Sequence, residues 1–212
     1  MPLYKLIKPN CYTKIYIWRI EESLSDLYKD IYLKPNSKLR VAKMQSKLHQ
    51  RGFLSVRHLL KEAGYSDKDL FYNAYGKPLL KNGKHISISH SYYFSAIALS
   101  DQDIGIDIEM VRSKITGIQH KFVNTDYDSL SDEDLVKQLT IIWSAKEAMY
   151  KIYPYGGLSF REHIAINPFL FKDKFSSGRI IFKDWQKYYN IHFLFLEDAD
   201  TFTFVYAMPK KK

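Results

Sequence analysis

The chain has 212 residues, 46% hydrophobic and 26% charged, a balance that excludes a disordered chain and fits an ordinary globular protein. Its 32 Lys and Arg against 23 Asp and Glu give a net charge of +9, which favours acidic partners: nucleic acid, an anionic membrane, a phosphorylated small molecule or an acidic protein. The single cysteine, Cys11, excludes an intrachain disulfide and predicts a reducing, cytoplasmic setting. No signal peptide or apolar run of membrane-spanning length is read, and the C-terminal PKKK reads as a solvated tail.

In chain order, CYTKIYIWRI (11–20) alternates weakly and predicts a strand, and SLSDLYKDIYL (23–33) spaces Leu24, Leu27, Tyr28 and Ile31 at helical intervals. Residues 40–63 predict the first long helix. Val41, Met44, Leu48, Leu59, Leu60 and Ala63 share its apolar stripe, and Gly64 is its C-cap. Lys43, Lys47 and Arg51 recur every four residues on another face, with Lys38 and Arg40 just before them. YGKP (75–78) and KNGK (81–84) are turn chemistry. HISIS (85–89) alternates into His90 and Ser91; YYFSAIALS (92–100) follows as a second strand and DIGIDIEM (103–110) as a third, and the short connections predict antiparallel pairing. Ser131 followed by Asp132, Glu133 and Asp134 starts a second long helix through Leu135, Leu139, Ile142 and Met149, stopped by Pro154, Gly156 and Gly157. Short β-like runs (RIIF, YNIHFLF, TFTFVYAM) fill the remainder. The order of elements predicts an α+β fold of two similar halves, 1–100 and 101–212, each an antiparallel sheet packed with helices.

Three carboxylates stand out in this basic chain. Asp107 and Glu109 share one strand face, where alternate residues lie roughly 7 Å apart. Glu147 shares a helix face with Trp143 and Lys151. Spacing alone leaves two readings for the strand pair, a solvated outer face or a cation site. If the helix packs over the strand, the three acids supply the hard oxygen donors that Mg²⁺ takes. For Glu147 and Lys151 the plain reading is a surface i,i+4 pair, and for His90 a structural histidine; a protonated imidazole also binds phosphate.

The ordered series YGKP (75–78), ISISHS (86–91), IGIDIE (104–109) and WSAKEAMYK (143–151) resembles the 4′-phosphopantetheinyl transferases of the surfactin-synthetase-activating type, over roughly residues 36–160. That resemblance implies a pseudo-dimer of two halves that binds coenzyme A in the cleft between them. It implies Mg²⁺-dependent transfer of the phosphopantetheine arm to a serine of an acyl or peptidyl carrier protein, with release of adenosine 3′,5′-bisphosphate; Mn²⁺ is a possible substitute. By position it implies Asp107, Glu109 and Glu147 as metal ligands and His90 and Lys151 as pyrophosphate contacts. It implies Lys77, Pro78 and Ser89 as the adenosine wall, and Lys38, Arg40 and Arg51 as the 3′-phosphate pocket. Glu147, directly or through a metal-bound water, is then the general base. The first half becomes the coenzyme side, and the second the metal and carrier side. The segment RSKITGIQHKFVNTDY (112–127) becomes the docking surface for an acidic carrier, with Ile115, Ile118 and Phe122 as its apolar side and Arg112, Lys114 and Lys121 as its basic side; an amphipathic helix packed on the core is the plain alternative. The implied protein is a monomer with no nucleic-acid or membrane partner. The competing class is a basic module that holds nucleic acid or an acidic protein without catalysis, which the clustered carboxylates oppose.

Overall fold

The computed structural model describes residues 3–125 and 130–211, in two compact units, Met1–Gln102 and Asp103–Lys212. The first contains β1 (Leu3–Asn10), β2 (Thr13–Arg19), α1 (Leu24–Leu27), α2 (Pro35–Ala42), α3 (Lys47–Glu62), β3 (Leu70–Tyr72), β4 (Pro78–Leu80), β5 (His85–Ser91) and β6 (Phe94–Ser100). Its main sheet is antiparallel in the order β1-β2-β6-β5, and β3-β4 form a separate hairpin. The amphipathic helix α3 lays Phe53, Val56, Leu59 and Leu60 into a core with Tyr16, Trp18, Ile86, Ile97 and Leu99. Each such side chain, fully buried, contributes about 1.5–3 kcal/mol.

The helix expected over 40–63 is two helices. Lys43 closes α2, its N–H donating to the carbonyls of Leu39 and Val41. Ser46 opens α3 by accepting the His49 N–H, and Gln50 Nε2 reaches back to the Met44 carbonyl at 2.7 Å. The side-chain oxygen of Ser46 and the amide of Gln50 satisfy the chain ends that a continuous helix would have hidden. Lys43 therefore leaves the stripe drawn through Lys47 and Arg51. Of 23–33 only the single turn α1 is helical, and Asp30 turns the chain away at φ 59°. The edge strand β1 has no counterpart in the sequence reading, because a stretch interrupted by Lys5 and Lys8, with Tyr4 and Leu6 left exposed, carries little apolar signal. A buried ion pair, Arg57 Nε to Asp67 Oδ1 at 3.1 Å, anchors the chain beyond α3, with the guanidinium also over the Phe53 ring.

The second unit contains β7 (Gly105–Met110), a 3₁₀ segment (Ser113–Lys121), α4 (Asp132–Ile152), α5 (Phe160–His163), β8 (Ile164–Ile166), β9 (Phe175–Phe182), β10 (Trp185–Glu197) and β11 (Thr201–Pro209). Its five strands run antiparallel in the order β7-β11-β10-β9-β8. The helix α4 begins and ends where its caps predict: Ser131 accepts the Asp134 N–H, three acids fill the first turn, and Pro154 follows the C-cap Tyr153. It lays Ala145, Ala148, Met149 and Ile152 on Tyr189, Ile191, Phe193, Val205 and Ala207. Gly105 sets how closely it lies on β7, since a β-carbon there would stand 1.8 Å from the Ala148 carbonyl oxygen. The segment 112–127 is 3₁₀ rather than α-helical over 113–121, and residues 126 and 127 lie outside the described residues. Among the described residues no helix is long and apolar enough to cross a membrane.

Candidate functional site

The strand β7 sends Gly105, Asp107 and Glu109 to one face and Ile104, Ile106 and Ile108 to the other, as alternation requires. The acidic face is the one that α4 covers, and Asp107 is only 4% exposed. The solvated-face reading of the pair is thereby excluded. One face of α4 presents Trp143, Glu147 and Lys151, spaced four residues apart, toward these acids. Lys151 Nζ donates to Asp107 Oδ1 at 2.9 Å and to the Ile106 carbonyl at 2.8 Å. The Glu147–Lys151 pair is thus no free surface pair: Lys151 reaches across to the strand.

The electrostatics follow from this burial. Burial, then the Asp107 charge, pushes the Glu109 carboxyl up to about 7; a hydrogen bond from Trp143 and the Lys151 ammonium pull the other way. Burial and Asp107 also raise Glu147, against Lys151. Three acids therefore share one neighbourhood in which Lys151 is the cation bonded to Asp107. By donor type and charge the set suits a hard divalent ion, which would relieve the repulsion. Its side chains are not gathered into a coordination set: among the described residues no group of three or more His, Cys, Asp or Glu stands as a ready metal site.

In the first unit, several predicted residues gather around the start of α3. Arg51 Nη2 donates to the Ile20 carbonyl at 2.7 Å. The neighbouring Gly52 faces the exposed His90 ring, so that a β-carbon at 52 would stand 3.1 Å from Cγ and Nδ1. The Arg40 guanidinium lies over Phe53 at 5.7 Å and over Tyr72 at 5.2 Å, and Tyr72 pairs with Pro78 across the β3-β4 hairpin. Lys77 sits in the turn before Pro78, its N–H held by Asn73 Oδ1. Ser89 is buried in β5 opposite Ala96. Lys38, on the same helix as Arg40, has its Nζ 6.0 Å from the centre of the Tyr32 ring.

Sequence reasoning gave Lys146 no role. It is 4% exposed, and its Nζ donates to the Phe122 carbonyl at 2.5 Å and the Phe160 carbonyl at 2.6 Å. Burial pushes its ammonium down to about 8, while the two carbonyls favour the charged form. The signal was present: Lys146 falls on the apolar stripe of Ile142 and Met149, where a surface lysine does not belong. Beside Glu109 opens a cavity of about 230 Å³ lined by Arg112, Lys114, Ile115, Ile118, Thr140 and Trp143.

Residues 103–205 match the family model described as the 4′-phosphopantetheinyl transferase superfamily. The chain is 27% identical over 143 residues to 4′-phosphopantetheinyl transferase gsp of Aneurinibacillus migulanus, covering 64% of this chain and 58% of that protein. It is 30% identical over 135 residues to enterobactin synthase component D of Salmonella typhimurium, covering 58% and 55% respectively. The matches thus span a little over half the length of these curated relatives.

Proposed function

We propose that this chain, which carries a domain of the 4′-phosphopantetheinyl transferase superfamily over residues 103–205, transfers 4′-phosphopantetheine from coenzyme A to a serine hydroxyl of a carrier protein and releases adenosine 3′,5′-bisphosphate. The observation that carries this reading is the cluster of buried Asp107 with half-buried Glu109 and Glu147 near Lys151. In a chain of net charge +9, acids paired out of full solvent have a use where a cation and a polyphosphate meet.

In this reading Asp107, Glu109 and Glu147 hold Mg²⁺. The bound ion supplies charge neutralisation on the pyrophosphate and a Lewis acid at its oxygens. Lys151 orients Asp107 through their 2.9 Å contact, and adds its own charge beside the reacting phosphate. Glu147, its carboxyl raised by burial and by Asp107, takes the serine proton. The serine oxygen then forms a bond to phosphorus, and the phosphoanhydride oxygen leaves with adenosine bisphosphate. From the first unit, His90 contacts the pyrophosphate, Lys77, Pro78 and Ser89 the adenosine, and Arg40 and Arg51, with Lys38, the 3′-phosphate. The placement of Arg40, Arg51 and His90 around the first turns of α3 supports that group; Lys38 lies over Tyr32. Each unit lays a long helix on an antiparallel sheet, which supports reading the chain as a pseudo-dimer; in this reading it is a monomer acting in the cytoplasm. The partner is an acidic acyl or peptidyl carrier protein drawn by the basic surface, with neither nucleic acid nor membrane involved.

The test is mass spectrometry of apo acyl and peptidyl carrier proteins incubated with the chain, coenzyme A and Mg²⁺. A mass gain of one phosphopantetheine arm, lost when the acceptor serine is replaced by alanine, is the expected result. No gain on any of several carriers would overturn the reading.

A further inference from the structure

Among the described residues, Lys146 is the one buried ammonium that the proposed chemistry does not use. Its Nζ is committed to two main-chain carbonyls, Phe122 and Phe160, so it is not offered to a phosphate. The two carbonyls belong to different elements. Phe122 is the C-cap of the 3₁₀ segment Ser113–Lys121, and Phe160 opens α5. Lys146 itself sits in α4, one residue before Glu147. A single side chain thus ties three elements together at one point.

The 3₁₀ segment needs such a tie. No residue within it is fully buried; Ile115 and Ile118 pack partly buried against the cluster of Leu139 and Ile142, and Phe122, directly after the segment, is the fully buried anchor among Leu139, Ile142, Trp143 and Phe160. A second fastening, Arg161 Nη1 to the His120 carbonyl at 3.2 Å, is exposed. Exposed hydrogen bonds open readily, whereas a buried one to an ammonium is strong and costly to leave unmade. The segment is also one wall of the cavity beside Glu109: Ile115 and Ile118 face Trp143 and Thr140 there.

We propose that Lys146 is a positioning residue that pins the 113–122 segment to α4 and so preforms the cavity wall against which an incoming acceptor chain seats next to Glu109. The assignment of an acceptor chain to that cavity rests on the transferase reading; the pinning of the segment does not. Lys146 acts through the segment and touches no substrate.

The test compares wild type with Lys146→Met, which keeps the length and loses both donated bonds, and with Lys146→Gln, which is shorter and reaches one carbonyl at best. Hydrogen exchange of the 113–122 amides is read first, because it needs no activity. Exchange faster by about tenfold in Lys146→Met and by less in Lys146→Gln, with β10 and β11 unchanged, is the expected result. In the carrier assay the KM for the carrier rises about tenfold in Lys146→Met, while kcat and the KM for coenzyme A stay within about twofold. Unchanged exchange in the segment overturns the pinning. A rise in the KM for coenzyme A equal to that for the carrier also overturns the proposal, since it would make Lys146 a coenzyme contact. If Lys146→Met does not fold, Lys146→Gln carries both comparisons, with about a threefold effect expected and no effect decisive against. Absence of any transfer by the wild type, with faster segment exchange in the variants, would sink the transferase reading and leave the pinning standing.

Discussion

Gly105 of β7 and Ala148 of α4 are in backbone contact: the place where a β-carbon would sit on Gly105 is 1.8 Å from the Ala148 carbonyl oxygen and 2.7 Å from its carbon. Only glycine admits this approach, and the approach is what lets Lys151, one turn on, reach Asp107 at 2.9 Å. Gly105→Ala is expected to push α4 off the strand, lower the melting temperature by roughly 5–10 °C and remove transfer activity. Gly178→Ala is the control. It meets the Ala165 carbonyl oxygen at 2.7 Å on the β8-β9 edge, far along the sheet from the acids, and should cost stability while sparing activity. Activity preserved in folded Gly105→Ala would show that the close approach does not set the site.

The acid and its cation should fail differently. Asp107→Asn removes the charge that, after burial, raises Glu109 and Glu147 and leaves an oxygen for Lys151, so stability should change by less than about 1 kcal/mol while turnover falls by at least about a hundredfold. Lys151→Met strands a buried carboxylate and should cost about 2–3 kcal/mol as well as activity. Urea unfolding and the carrier assay on both variants check this. Near-wild-type turnover in Asp107→Asn would remove the cation argument.

Metal should be visible without catalysis. Three acids sharing one lysine leave charge to be neutralised, so Mg²⁺ added to chelator-treated protein should raise the melting temperature. At tenfold excess over Kd the gain is about 1.4 kcal/mol. The shift should vanish in Glu147→Gln. An equal shift in wild type and Glu147→Gln would mean the ion binds elsewhere.

Gly52 offers a test of His90 that leaves the imidazole in place. A β-carbon at 52 would stand 3.1 Å from two ring atoms, so Gly52→Ala forces the ring to give by a few tenths of an ångström. Alanine also strengthens the helix by up to about 1 kcal/mol. Calorimetric titration should show coenzyme A binding weakened severalfold in a protein no less stable. Unaltered affinity in Gly52→Ala and in His90→Ala together would take His90 out of the coenzyme site.

A pH effect is expected on the opposite face of the same sheet, two strands over from Asp107. His192 on β10 stacks on Tyr206 at 4.8 Å and meets Phe175 edge-on at 5.0 Å, and burial holds its imidazole below the ordinary value. A depressed imidazole favours the neutral form in the folded state. Its contribution is therefore full above the unfolded value of about 6.5 and is lost as pH falls through the folded value. Thermal melts at pH 7.5 and pH 5.5 should show wild type losing more stability than His192→Phe. Equal losses would refute it.

Much of the second unit was legible in the chain. Ser131, the acids after it and Pro154 bounded α4 because capping and breaking are local chemistry. The alternation of 103–110 gave β7 and put Asp107 and Glu109 on one face. Local signals failed where a few residues decide between continuing and restarting: Ser46 and Gln50 break the helix expected over 40–63, although its apolar stripe runs on through the break. The 3₁₀ geometry of 113–121 and the edge strand β1 were likewise below the strength of the pattern.

Sequence alone determined which side chains share a face, since strand and helix periods follow from backbone geometry. It also placed the acids, His90 and the lysines in the order that resembles a phosphopantetheinyl transferase. What only the tertiary structure decided is which face is covered. Alternation cannot tell a solvated acidic face from one under a helix, because the difference lies in an element some forty residues away, brought into backbone contact by the missing side chain of Gly105. The same packing turned Lys151 from a surface partner of Glu147 into the counter-ion of Asp107, and Lys146 from an anomaly in an apolar stripe into a tie between three elements.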